Sequence, residues 1–232
     1  MHPETSSQKR SALPMWVIGA VVALILGVGA FLYYQLSPLD APIPADAGAL
    51  YAELPQSVTE AGFSRLGDPN APILIEEFSS YACPHCRDFH ETIFPDVVDE
   101  IAAGDVQFVL IPVPKIGAGA DDAARAFFCA REQGRAWEMH DALFAWQAEF
   151  LTRTFDRKRL EKGAEALGLD VAAFTACMDA AQTDALISAA WDEFERRGLT
   201  GTPTFFLNGE KMRDYREFEG LSALAEQLRA EP

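Results

Sequence analysis

Positive charge is scarce in this sequence of 232 residues, which has 19 Lys and Arg against 35 Asp and Glu and a formal net charge of −16. Nucleic-acid binding requires clustered Lys and Arg beside the phosphates, so we expect no DNA or RNA partner. Cysteine is also rare, at four residues, and an even number suits an oxidising compartment. Internal repeats and low-complexity tracts are lacking too, which favours an ordinary globular domain.

Charged side chains are missing near the N-terminus, over residues 11–39. Within this stretch, residues 13–36 are apolar almost throughout. A helix over residues 13–34 would reach about 33 Å, which matches the hydrocarbon thickness of a bilayer. We therefore predict one transmembrane helix at 13–36.

The placement of Lys and Arg predicts how this helix is oriented. Lys9 and Arg10 precede it, and no Lys or Arg follows before Arg65. The positive-inside rule then puts residues 1–12 in the cytoplasm and the rest outside, which predicts a single-pass inner-membrane protein facing the periplasm. A cleaved signal peptide, with small residues at 28–30 near a possible cleavage site, is the alternative, and it also exports the remaining chain.

The exported part divides into a linker and one folded domain. Residues 37–47 are rich in Pro and Ala, as in semi-extended spacers. Residues 48–58 favour a short helix. We therefore predict a linker over 37–61 and a domain over 62–232.

The first half of the domain has a strand–helix–strand pattern, which is typical of a parallel strand pair. The strands are predicted at Ile73–Phe78 and Val106–Ile111, where apolar and β-branched residues dominate. Between them, apolar residues recur at helical spacing from Cys86 to Gly104, and Pro95 should kink this helix.

The second half is predicted to be helical over an insertion at 118–199, with breaks near Gly134, 152–154, Gly168 and Thr183. A strand at Thr204–Leu207, a hairpin turn at Asn208-Gly209 and a helix at Leu221–Leu228 follow. Four residues of the insertion occur at helical spacing and are predicted to pack in the core, although a peptide groove is the alternative: Trp137, His140, Phe144 and Trp146.

The chemistry is concentrated in Cys83-Pro84-His85-Cys86, where the first strand gives way to a helix. Unpaired N–H groups and the helix dipole should stabilise a thiolate at Cys83, while Cys86 lies one turn further in and is less reactive. Pro84 suits a first helical turn. His85 can add positive charge or a donor and lower the pKa of Cys83. A stabilised thiolate leaves readily, which makes the disulfide an oxidant.

A static disulfide or a zinc site are the alternatives for this motif. Zinc needs about four ligands, and the sequence has no second Cys-x-x-Cys. His85 and His90 would have to complete the set. We interpret His90 instead as the exposed edge of a helix.

Residues 77–86 (EFSSYACPHC) and 201–209 (GTPTFFLNG) together resemble the DsbA family of bacterial thiol–disulfide oxidoreductases. The resemblance implies an α/β thioredoxin fold with a helical insertion between the central strands. It also implies that Pro203 is a cis-proline beside the active site and that Thr202 offers its backbone to substrate. An ordinary turn before a strand is the alternative for this dipeptide.

Glu77 lies six residues before Cys83, where the resemblance implies a buried acid that moves protons to the second cysteine. The lysine that usually accompanies this acid is not evident on the next strand, which is apolar at 109–111. The alternative for Glu77 is a carboxylate at a strand edge facing solvent. We expect its neighbour Glu76 to be solvated.

The other two cysteines, Cys129 and Cys177, lie in predicted helices of the insertion. Similar proteins of the DsbA family carry a second disulfide, so we expect a structural Cys129–Cys177 bridge. Two separate buried thiols are the alternative.

The resemblance implies a monomeric enzyme that donates the Cys83–Cys86 disulfide to the cysteine thiols of exported proteins, with no other cofactor and no metal. A membrane partner of the DsbB type would then reoxidise it. The first alternative is a reductase or isomerase kept reduced by a DsbD-like partner. The second is a redox-inert, membrane-anchored binding module or chaperone.

Overall fold

The computed structural model describes residues 14–36 and 39–230. It divides into an N-terminal unit that ends at Leu39 and a folded unit that begins at Asp40. In the first unit, helix α1 spans Met15–Leu36. Its segment Met15–Tyr34 has a mean hydropathy of 2.5 and is long and apolar enough to cross a membrane. The predicted cytoplasmic segment 1–12 lies outside the described residues.

The folded unit contains a mixed sheet with helices packed around it. Its strands are β1 Gln56–Val58, β2 Ser64–Leu66, β3 Ile73–Ser79, β4 Val106–Pro112, β5 Thr204–Leu207 and β6 Glu210–Lys211. Its helices are α2 Pro84–Thr92, α3 Phe94–Ala102, α4 Ala120–Arg131, α5 Ala136–Glu149, α6 Arg157–Ala166, α7 Val171–Met178, α8 Ala181–Arg196 and α9 Leu221–Ala230. This architecture confirms the predicted thioredoxin fold.

The strand order in the sheet is β1-β2-β4-β3-β5-β6. Strands β3 and β4 are parallel, whereas β5 runs antiparallel to β3. All seven residues of β4 are buried, because helices cover both faces of a sheet built around a parallel pair. The carboxyl end of β3 is followed, after residues 80–82, by the Cys-Pro-His-Cys motif at the start of α2.

The predicted linker over 37–61 is wrong for residues 40–61, which belong to the folded unit. The Trp146 indole N–H donates to the Pro42 carbonyl at 2.7 Å. Tyr51, in a 3-10 helix at Ala49–Tyr51, is buried and donates to Asp141 Oδ1 at 3.1 Å. Residues with little secondary structure of their own are therefore held by side chains of α5, which no local sequence pattern reveals.

The helix after Cys86 is divided rather than kinked. Helix α2 ends at Thr92 and α3 begins at Phe94, with Ile93 between them. Pro95 lies in the first turn of α3, where its missing N–H costs no intrahelical hydrogen bond.

Helices α4 to α8 form the predicted insertion between β4 and β5. Gly134 and Gly168 follow helix ends with φ values of 74° each, a conformation that glycine adopts readily. The break predicted near Thr183 lies at residues 179–180, between α7 and α8. Thr183 itself lies in the first turn of α8, and its hydroxyl donates to the Cys177 carbonyl at 2.6 Å. A disulfide joins Cys129 of α4 to Cys177 of α7, with a Cα–Cα distance of 5.7 Å.

Candidate active site

The two cysteines of the motif lie at the start of α2, as the strand–helix pattern predicts. Cys83 is the N-cap residue, and Pro84 occupies the first turn. The backbone N–H groups of Cys86 and Arg87 point back to the Cys83 carbonyl, at 3.1 and 3.3 Å. Cys86 is fully buried, whereas Cys83 keeps 8% of its surface exposed. Only the first sulfur is therefore open to a partner thiol.

The surroundings of Cys83 lower its thiol pKa to about 5, well below the ordinary thiol value. The largest cause is a hydrogen bond from the Cys86 side chain, which outweighs the opposing effect of burial. The Thr202 side chain and the backbone N–H groups of Cys86 and His85 lower the pKa further. The helix start therefore stabilises a thiolate. His85 contributes through its backbone, since its side chain is exposed.

The surroundings of Cys86 act in the opposite direction. Burial raises its pKa well above the ordinary value, and the hydrogen bond to Cys83 and the charge of Glu77 raise it further. The Ser80 backbone N–H lies 3.4 Å from its sulfur. One thiol of the pair therefore ionises easily, and the other holds its proton.

The Thr202–Pro203 peptide bond is cis, as the resemblance implies, and it lies against the first cysteine. When it is protonated, the Cys83 thiol donates to the Thr202 carbonyl oxygen at 3.1 Å. The loop before β5 thus brings a backbone acceptor to the reactive sulfur.

A cleft of about 570 Å³ opens beside this loop. Its apolar wall includes Phe89, Pro203, Phe205 and Met212, and its rim carries His85, Asp88, Lys211 and Arg213. A cleft that combines apolar side chains with several polar groups has the character of a ligand site.

Glu77 is fully buried, so the strand-edge alternative is wrong. Burial raises the pKa of Glu77 to about 8, although Ser79 lowers it in part. Its register partner on β4 is Leu110, so no lysine occupies that position. Glu76, expected to be solvated, instead forms an ion pair with Arg197 in which its carboxylate accepts at 2.8 and 2.9 Å.

His90 is buried as well, so its interpretation as an exposed helix edge is wrong. Its Nε2 lies 2.8 Å from Glu77 Oε2. Its Nδ1 lies 3.2 Å from Nε2 of His140, whose Nδ1 lies 3.0 Å from the Tyr81 hydroxyl. The four aromatic residues predicted as core are all buried, but their helical spacing gives no sign of the polar contacts of His140. The sequence did contain a signal, because each of the two helices carries an imidazole on its apolar face. A buried polar group of this kind needs a hydrogen-bond partner.

Among the described residues, no group of three or more His, Cys, Asp or Glu side chains is arranged to hold a metal ion. The two histidines that a zinc site would require lie in different surroundings. The side chain of His85 faces solvent, and that of His90 contacts Glu77.

Among known proteins, the chain is 33% identical over 159 residues to the Na(+)/H(+) antiporter NhaA 3 of Salinispora tropica, a match that covers 68% of this chain and 23% of that protein. The chain thus matches less than a quarter of this relative's length. It is also 26% identical over 155 residues to the probable disulfide bond formation protein D of Bacillus cereus, covering 62% of this chain and 69% of the relative.

Among solved structures, oxidised BdbD from Bacillus subtilis has a similar fold, with a TM-score of 0.63 at 23% identity, over 70% of this chain and 90% of that one. A family model described as thioredoxin matches residues 59–227. This range contains the Cys-Pro-His-Cys turn, the cis-proline and the helical insertion. The chain therefore belongs to the thioredoxin family, and its fold is that of the DsbA-like members.

Proposed function

We propose that the chain is a thiol–disulfide oxidase that donates the Cys83–Cys86 disulfide to exported proteins. The observation that carries this proposal is the opposite displacement of the two thiol pKa values. Because the pKa of Cys83 lies at about 5, its sulfur is almost entirely ionised at neutral pH. A thiolate of low pKa is a good leaving group and stabilises the reduced enzyme, so the disulfide is an oxidant.

The reaction begins when a client thiolate attacks the Cys83 sulfur. The client–Cys83 bond forms, the Cys83–Cys86 bond breaks, and Cys86 leaves with the electron pair and takes up a proton. A second client thiolate then attacks the client sulfur of the mixed disulfide, and Cys83 leaves as a stable thiolate. The client thereby loses two electrons to the enzyme.

Five further residues have roles in this scheme. Pro84 allows the turn that places Cys83 at the start of α2, and the His85 backbone stabilises the thiolate. The cis-peptide Thr202–Pro203 presents its backbone to the client beside the cleft. Glu77 supplies the proton that Cys86 takes up and removes it again during reoxidation.

Reoxidation requires an acceptor for the two electrons, which we propose is a quinone-linked membrane partner of the DsbB type. We further propose that α1 anchors the protein in the inner membrane with its folded unit in the periplasm. Carbonate extraction with N-terminal sequencing tests this placement. A mature N-terminus near Phe31 in a soluble fraction would show that α1 is a cleaved signal peptide.

The equilibrium of the Cys83–Cys86 pair against a glutathione buffer tests the direction of exchange. We expect a reduction potential far above that of thioredoxin, which lies at about −270 mV. A value near that of thioredoxin would contradict the oxidase proposal and favour a reductase fed by a DsbD-like partner. No exchange at all would indicate a redox-inert binding module.

A further inference from the structure

Two buried histidines connect Glu77 to Tyr81. His90 of α2 and His140 of α5 are 8% and 0% exposed. The distances along the chain are 2.8 Å from Glu77 Oε2 to His90 Nε2, 3.2 Å from His90 Nδ1 to His140 Nε2, and 3.0 Å from His140 Nδ1 to Tyr81 Oη. Every ring nitrogen of the two histidines therefore has a partner.

The direction of these hydrogen bonds follows from the Tyr81 end. Tyr81 is 3% exposed, and within the described residues His140 Nδ1 is the partner of its hydroxyl. A buried O–H group needs an acceptor. The Tyr81 hydroxyl therefore donates, and His140 Nδ1 accepts.

Both imidazoles are neutral, since burial lowers the pKa of His90 to about 3 and that of His140 well below its ordinary value. A neutral imidazole has one donor and one acceptor nitrogen. His140 thus carries its proton on Nε2 and donates to His90 Nδ1. His90 in turn carries its proton on Nε2 and donates to Glu77 Oε2.

We propose that His90 and His140 are positioning residues that hold Glu77 Oε2 as an acceptor, so that the exchangeable proton is carried on Oε1. This inference rests on the proposed function, in which Glu77 exchanges a proton with Cys86. Glu77 Oε1 is buried and has no hydrogen-bond partner among the described residues. It is therefore the oxygen left to give a proton to Cys86 or to take one from it.

The histidines thereby stabilise the carboxylate of Glu77, as an oppositely charged side chain would at another site. On β4 the neighbour is Leu110, and a carboxylate in such apolar surroundings is costly. A donor on Oε2 stabilises the ionised form and so opposes the effect of burial on the pKa. The titratable groups that interact with Glu77 are Cys86 and His90 of α2, Tyr81 of the loop before α2, and Tyr51 of the 3-10 helix. Behind them, His140 and Asp141 of α5 contact His90 and Tyr51.

The ring tautomers test the chain directly and do not depend on any activity. Nitrogen-15 NMR of the labelled oxidised protein at pH 7 should show both rings protonated on Nε2. If either ring is protonated on Nδ1, the direction of the chain is wrong and the proposal fails. The measurement uses the wild-type protein, so it does not depend on whether a variant folds.

The pH profile of the step that uses Glu77 tests the consequence. The probe is the mixed disulfide between Cys83 and glutathione, prepared at low pH and shifted to higher pH, with release of glutathione as Cys86 attacks. In the wild type, the release rate should rise with pH around the pKa of Glu77, which lies at about 8. His90→Phe removes the donor and should shift this midpoint upward by about one to two pH units.

His90→Gln is the matched control, because its amide N–H can still donate to Oε2, and its midpoint should stay near that of the wild type. Glu77→Gln should remove the inflection. If it does so while His90→Phe titrates like the wild type, the positioning role is wrong and the role of Glu77 stands. If Glu77→Gln leaves the profile unchanged, the proposed role of Glu77 is itself wrong.

Discussion

The two cysteine pairs of this protein lie in the same folded unit but in opposite surroundings. Cys83 and Cys86 begin a helix, where hydrogen bonds lower the pKa of one thiol to about 5. Cys129 and Cys177 join the sides of α4 and α7, 48 residues apart in the chain. The first pair closes a tiny loop, and its surroundings stabilise the reduced form. The second pair restricts the unfolded chain, so its disulfide stabilises the folded protein. The pair at the start of a helix is therefore reactive, whereas the pair within two helices stabilises the fold.

The largest effect should come from Cys83→Ser, which removes the exposed sulfur. We expect thiol–disulfide exchange to fall to background, because Cys86 is fully buried and a client cannot reach it. Turnover with a fluorescent dithiol peptide measures this loss, and circular dichroism should show an intact fold. Substantial activity in this variant would show that Cys86 is the attacking site.

The insertion pair should give the reverse result when both Cys129 and Cys177 are replaced with Ala. Loss of a bridge with a sequence separation of 48 residues should lower the free energy of unfolding by about 4 kcal/mol in the loop-entropy model. Denaturant titration measures this change. Dithiol oxidation at 25 °C should stay near the wild-type rate, and a loss of exchange as large as that of Cys83→Ser would remove the distinction between the pairs.

A different effect, on the pH dependence of stability, should separate the acid of the active site from its thiols. Burial raises the pKa of Glu77 to about 8 in the folded protein, while the unfolded value is about 4.3. Between these values the folded state binds the extra proton, so the contribution of Glu77 to the free energy of unfolding falls as pH rises. Glu77→Gln should remove this fall.

This comparison requires the oxidised protein. In the reduced form the folded pKa of Cys83 lies below its unfolded value, so its contribution rises with pH over the same range and opposes that of Glu77. Denaturant titrations of the oxidised wild type and variant from pH 5 to 9 measure the difference. Parallel pH profiles would show that Glu77 is ionised in the folded state.

The sequence predicted those parts of the fold that local patterns determine. The apolar run at Ile73–Phe78 became β3 with one added residue, and Thr204–Leu207 became β5 with the predicted bounds. The start of a helix at Pro84 followed from the motif itself. These elements position the reactive turn, so the sequence alone was enough to locate it.

The errors concern residues whose environment depends on distant partners. His90 reads as a helix edge because Asp88 and Glu91 lie close to it in sequence. Its partners Glu77 and His140 come instead from β3 and α5. Glu76 reads as solvated, but Arg197 at the end of α8 pairs with it. Tyr51 lies in the predicted linker and is fixed by Asp141. Such contacts span from 13 to 121 residues in the chain, beyond the reach of periodicity.

The thiolate at Cys83 is the centre of this account, and its absorbance near 240 nm measures it most directly. The reduced Cys129→Ala/Cys177→Ala protein, titrated with pH, leaves Cys83 and Cys86 as its two thiols, and Cys86 should stay protonated throughout the neutral range. We predict one ionisation with a midpoint at about 5. A midpoint near the ordinary thiol value of about 8.5 would contradict the stabilised thiolate, and with it the proposed oxidase.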